Sequence, residues 1–194
     1  MLACRTAIVA GIQGRLLDVE VSAAGDAPGL HLAGLREEIR PEARDRVRAA
    51  IINSGLPQPQ GNLTVSLRPT ALAIYGSEVD AAIAVAALAA TGVVPARGDL
   101  VVLGELSLDG RLRPVPGVLP AVQAAAAKGH RTVVVPRANA AEASLIEGVT
   151  VLAVGSLAEL VARLRGDTDD TRRPTPPQCP LTPVPPCQNK PGSG

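Results

Sequence analysis

Apolar and polar residues first alternate along this chain with a period of two. Leu17, Val19 and Val21 alternate with Asp18 and Glu20, which predicts a strand over 15–22 with one buried face. Residues 3–10 read as its partner strand, with Ile12-Gln13-Gly14 at the bend between them. A short third strand is expected over 30–33, ending at Gly34. The pattern then changes to a helical one. Pro41 suits a first helical turn, and Ala43, Val47, Ala50 and Ile51 share one face. Gly55 ends that helix, and Pro57 and Pro59 block its continuation. Asn62–Leu67 alternates again as a strand, and Asp80–Ala90 is so uniformly apolar that a helix buried on most sides is predicted. Gly92 closes it.

Residues 101–122 read as a hairpin followed by a helix. Asp109-Gly110 predicts a two-residue type I′ turn, whose central residues both need positive φ. A helix over Val118–Lys128 ends at Gly129, and Thr132–Val135 predicts a strand buried in a sheet. Asn139 is expected to cap a short helix running to Ile146. Thr150–Val154 predicts a last strand, and Ser156 caps a helix to Leu164. Antiparallel strands at the start and strand–helix alternation later imply an α/β (α+β) domain: a mixed sheet with flanking helices over 1–165. From Gly166 the composition changes. Eight prolines and almost no large apolar residues follow, which predicts a disordered linker or tail over 166–194, biased to polyproline II. Its P-x-x-P spacings, at 180–183 and 183–186, are compatible with a plain linker.

Composition adds one constraint to this picture. The 194 residues include no Phe, no Trp and a single tyrosine, Tyr75, so the core must be packed from Ala, Val, Leu and Ile. Such side chains can reach native density, but each buries less area than an aromatic ring, and modest stability is expected. The net charge of +1 gives no global pull towards nucleic acid or an anionic membrane. No window reaches the ~18 apolar residues of a membrane span, and no secretion signal follows Arg5. A cytoplasmic chain with no membrane partner is expected.

Candidate chemistry is sparse. Cys4, Cys179 and Cys187 contain no C-x-x-C, and with only His31 and His130 elsewhere no metal or cofactor is expected. Cys4 reads as a small core residue. Neither Lys128 nor Lys190 lies in a phosphate-binding G-x-x-x-x-G-K-[ST] context, so ATP hydrolysis by this chain is not expected. Neither histidine sits where a serine nucleophile would need a base. Glu38, Glu42 and Arg46 fall at i, i+4, i+8, the spacing of ion pairs on a helix surface. Arg40, Arg44 and Arg48 repeat that spacing as a stripe of like charge. They are the candidate contact for an anion or nucleic acid, the alternative being a solvated face neutralised by Glu37, Glu42 and Asp45. The lack of aromatics argues against a stacking platform for single strands.

Several segments, in order, carry a resemblance: GIQGRLLDVEV (11–21), LAGL (32–35), RDRVRAAIINSG (44–55), NLTVSLRP (62–69), Gly76 with Asp80, GELSLDGRLRPVPGVLPA (104–121), VVVPRANAAEASLI (133–146) and SLAELVARL (156–164). Together they resemble the N-terminal domain of the Mg-chelatase-like AAA+ ATPases, the family that includes the competence protein ComM. The second half is also similar to the C-terminal domain of Lon protease. The resemblance implies a Lon-like, ribosomal-protein-type two-layer fold. It also implies a non-catalytic accessory role in DNA processing and branch migration. The implied partners are an AAA+ motor or DNA, with an oligomer compatible with either. In the family a motor follows a Pro-rich linker. Here the linker-like tail is present without the motor, which implies a stand-alone or truncated version, down to a remnant without activity.

The Lon likeness raises a second expectation, a divergent serine peptidase using Ser77 with Lys128. Lon-type enzymes place their serine two positions after a glycine, and that position here is Glu78, with Ser77 one step early. Their lysine position is Leu119. A one-residue slip at a helix start turns a side chain by roughly 100°, so Ser77 is not a simple replacement. Two loops also depart from the Mg-chelatase-like pattern, at Arg36-Glu37 and at Ala71–Tyr75.

Overall fold

The computed structural model describes residues 1–23, 29–69, 74 and 76–166. The segment 167–194, Ala71–Ala73 and Tyr75 lie outside the described residues, so the expectations placed on the Pro-rich tail and on the 71–75 stretch do too.

Nine strands and five helices follow in the order β1 (Leu2–Ala10), β2 (Gln13–Ser22), β3 (Gly29–Ala33), α1 (Arg40–Asn53), β4 (Asn62–Arg68), α2 (Asp80–Ala90), β5 (Leu100–Val102), β6 (Glu105–Leu106), β7 (Leu112–Arg113), α3 (Val118–Ala127), β8 (Thr132–Pro136), α4 (Ala140–Ala143), β9 (Thr150–Val154) and α5 (Leu157–Arg165). Seven strands form one mixed sheet in the order β3-β4-β2-β1-β5-β8-β9, and β6 and β7 form a small separate ribbon. β1–β2 and β2–β4 are antiparallel. β3–β4, β1–β5, β5–β8 and β8–β9 are parallel. The parallel pairs require the crossovers that the helices provide.

The period-two strands bury alternate residues on two faces. Val102 and Val134 join a core with α1, α2 and α5. Their neighbours Val101, Val133 and Val135 face the other way, against Val118, Ala121, Val122 and Ala125 of α3 and Ala143 of α4. The expected mixed sheet with flanking helices is therefore present, and α3 and α4 cover the second face of its β1-β5-β8 half. That is why β5 and most of β8 are continuously apolar rather than alternating. Helix α2 is buried from Asp80 to Ala89. Its alanines let it sit between α1 and strands β1, β2 and β4. The largest fully buried side chains are leucines and isoleucines, Leu17, Ile51, Leu67, Ile83 and Leu88 among them. Cys4 belongs to this core, and burial pushes its thiol up to about 12.

Two local expectations are corrected. The Asp109-Gly110 turn is not type I′, because Gly110 alone adopts positive φ, at 81°. The Gly110 N–H bonds the Ser107 carbonyl at 2.9 Å and the Ser107 N–H bonds the Arg111 carbonyl at 3.0 Å, so the loop between β6 and β7 is longer than two residues. Asp109 stays at negative φ by spending its carboxylate inside the loop, on the Ser107 hydroxyl and the Arg111 N–H and guanidinium. Asn139 does not cap α4. Its side-chain oxygen accepts from the Val115 N–H at 3.0 Å and its amide donates to the Val115 carbonyl at 3.1 Å. Ser156 does cap α5, accepting from the Glu159 N–H.

Candidate functional site

Three polar features stand out against this aliphatic body. The first is the arginine stripe. Arg40 is half-buried at the start of α1, where its guanidinium donates to the Leu35 carbonyl at 3.3 Å. Its Nε is buried without a hydrogen-bond partner. Arg44 is exposed and pairs with its neighbour Asp45 at 3.0 Å. Arg48 turns to the side-chain amide of Gln58, whose oxygen accepts from the guanidinium when the amide is oriented toward it. The parallel register of β3 on β4 sets His31 beside Thr64. With Arg40, Pro41 and Arg44 of α1 these residues line a groove of about 350 Å³ that has no acidic residue in its walls among the described residues. The fold thus brings Arg40 and Arg44 to one groove and leaves Arg48 outside it.

Of the expected Glu38–Glu42–Arg46 series only the Glu42–Arg46 ion pair forms. The helix begins at Arg40, so Glu38 lies before it and pairs with Arg36 instead. Glu42 stays 3.9 Å from Arg46. Arg46 reaches inward to Asp80, with bonds of 2.8 and 3.2 Å to the two carboxylate oxygens. Asp80 is wholly buried at the start of α2. Burial pushes its carboxyl up to about 6, against the opposing pull of Arg46 and the Leu106 N–H. The same network includes Glu105, which accepts from the Ser77 hydroxyl at 2.5 Å and pairs with Arg113 at 3.7 Å. Sequence reading missed this cluster. Its one signal was an aspartate opening an otherwise apolar helix, a charge that burial allows only with a partner.

The third feature is a cavity of about 320 Å³ between β1 and the start of α3. Ala7, Ile8, Val9, Leu103, Val115, Gly117, Val118 and Ala121 line it, and among the described residues Glu78 is its only ionisable wall. Gly117 takes φ +72° at the helix entry, and a Cβ there would strike the Val9 side chain. Of the two positions that the Lon resemblance marks, Glu78 faces this cavity. Leu119 lies in the first turn of α3, where its N–H is held by the Glu142 carboxylate at 2.9 Å. Lys128 stands at the opposite end of α3, beside Ile12, Gln13 and Arg15. A ten-residue helix spans about 15 Å, so Ser77 and Lys128 are not brought together. Among the described residues no group of three or more His, Cys, Asp or Glu side chains could hold a metal ion. Nor is any helix there long and apolar enough to cross a membrane.

Fold and polar features define a Lon-like mixed α/β domain whose carboxylates are mostly neutralised by arginine. The family model for subunit ChlI of Mg-chelatase matches residues 19–139, and the chain belongs to that family. An uncharacterized protein of Mycobacterium tuberculosis is 46% identical over 162 residues, covering 82% of this chain and 32% of the relative. Competence protein ComM of Haemophilus influenzae is 37% identical over 158 residues, covering 80% and 31%. Lon protease 2 of Bacillus subtilis is 25% identical over 178 residues, covering 83% and 32%. The chain spans about a third of the length of these relatives.

Proposed function

We propose that this chain is a non-catalytic accessory domain of a Mg-chelatase-like AAA+ ATPase, and that it contacts DNA phosphates in the groove between β3 and α1. The observation that carries this reading is the groove itself, which presents Arg40 and Arg44 with no carboxylate in its walls among the described residues. The guanidinium groups of Arg40 and Arg44 line the same groove, a donor set suited to phosphate oxygens. The N-terminal end of α1 adds its partial positive charge at the same place. The similarity to a protein named for competence is consistent with DNA as the partner. Against the peptidase reading stand the engagement of the Ser77 hydroxyl by Glu105 and the location of Lys128 at the far end of α3. The Ser77 hydroxyl donates to Glu105, and Lys128, the one lysine among the described residues, is too far along α3 to take its proton.

Fluorescence anisotropy of labelled duplex DNA, titrated with the full chain at rising salt, tests the proposal. Binding should weaken with salt, and each phosphate contact contributes about 0.9 to the log–log slope. Replacing Arg44 by Glu should weaken binding and reduce the slope by about one contact. No binding at low salt, or a slope indifferent to Arg44, would remove the support. Hydrolysis of an unstructured peptide that disappears in Ser77→Ala would favour the peptidase instead.

A further inference from the structure

The half-buried and buried carboxylates of the described residues nearly all have partners. Asp18 meets Arg5, Glu20 meets Arg68, Asp80 meets Arg46 and Glu105 meets Ser77. Glu142 accepts from the Leu119 N–H and Glu159 from Arg137 and Arg163. Glu78 is the exception. Its backbone carbonyl is anchored by the Gly104 N–H at 3.0 Å, while its half-buried carboxylate has no hydrogen bond or ion pair among the described residues. Glu78 is one of the residues lining the cavity of about 320 Å³, whose other lining is aliphatic or glycine, and its carboxylate lies over Gly76. A negative charge against apolar walls is costly unless something of opposite charge completes it. The cavity volume is within the usual range for small-ligand sites, ~300–1,000 Å³.

We infer that this cavity is a binding site for an aliphatic cation, an alkylammonium or alkylguanidinium group whose charged head meets Glu78 and whose methylene stem lies along Val9, Val115 and Val118. Such a group comes either from a free amine or from a lysine or arginine side chain of a polypeptide. A neutral or anionic group of the same length would leave the Glu78 charge unanswered. The site lies on β1 and the start of α3, so it involves none of the residues of the arginine groove. It therefore stands whether or not DNA binds there.

The test is a methyl-region NMR titration of the full chain with n-pentylammonium, n-pentanol and n-pentanoate, followed by a blocked Ala-Ala-Lys-Ala-Ala peptide. The ammonium should shift the Val9, Val115 and Val118 methyls saturably, and the alcohol should bind roughly tenfold or more weakly, as expected for loss of a charge-assisted hydrogen bond. Glu78→Gln, which keeps the shape, should reduce ammonium binding by a similar factor while leaving the remaining methyl spectrum in place. Peptide binding at those methyls assigns a polypeptide source, and binding of pentylammonium alone assigns a free amine. Equal binding of alcohol and ammonium, unmoved methyls, or unchanged affinity in Glu78→Gln would each overturn the inference. If Glu78→Gln does not fold, Glu78→Asp serves in its place, with weaker ammonium binding expected and undiminished binding contradictory.

Discussion

Asp80 shows how a single side chain sets conditions for this fold. Its folded pKa, about 6, is above its ordinary 3.8, so the native state holds a proton that the unfolded chain has released. Its contribution to stability is therefore full below about pH 4, falls as pH rises to about 6, and is constant above that. In urea unfolding, the stability of the wild type relative to Asp80→Asn should drop across that window and level off near neutrality. A difference that rises with pH would contradict the burial account. Cys4 supplies a second residue-scale prediction. A fully buried thiol raised to about 12 should resist iodoacetamide at pH 8 in the folded chain and react after urea is added, read at that peptide by mass spectrometry. The core role of Cys4 was legible in the sequence because a free cysteine within a predicted strand is usually a small buried residue. The partner of Asp80 was not, because Arg46 lies 34 residues away and only tertiary packing brings it inward.

Elements were legible where a local signal decided them. The buried face of α1 is Ala43, Val47, Ala50 and Ile51, as the spacing predicts, and α2 and β9 run over the predicted residues. Ser156 caps α5 because the cap is a contact between residues three apart, which sequence displays directly. Ser156→Ala should cost about 1 kcal/mol. Asn139 obeys a longer-range rule. Its side chain closes a pair of hydrogen bonds on the Val115 backbone, 24 residues away, and a cap preference could not foresee that. Asn139→Ala leaves a buried N–H and C=O without their partner, and a loss of roughly 2–4 kcal/mol in urea unfolding is expected. A loss no larger than that of Ser156→Ala would show that water replaces both bonds. The Asp109-Gly110 loop differs from its predicted type for a related reason. Side-chain bonds from Ser107 and Arg111 hold Asp109 at ordinary φ, and a dipeptide rule does not include them.

At the scale of the whole molecule, topology creates both candidate sites. The arginine stripe was visible as an i, i+4 repeat. The groove was not, since it needs β3 laid parallel on β4 beneath α1. The Glu78 cavity likewise needs β1 and the entry to α3 to converge from opposite halves of the sequence. The order β3-β4-β2-β1-β5-β8-β9 keeps the two apart, the groove at the β3 edge and the cavity near the middle of the sheet. Phosphate contact in the groove is tested by an amide-resolved NMR titration of the full chain with a short duplex. Shifts are expected to cluster on Leu32, Ala33, Arg40, Arg44 and Thr64 and to fade as salt rises. Saturable shifts confined to another face, or none at low salt, would contradict it.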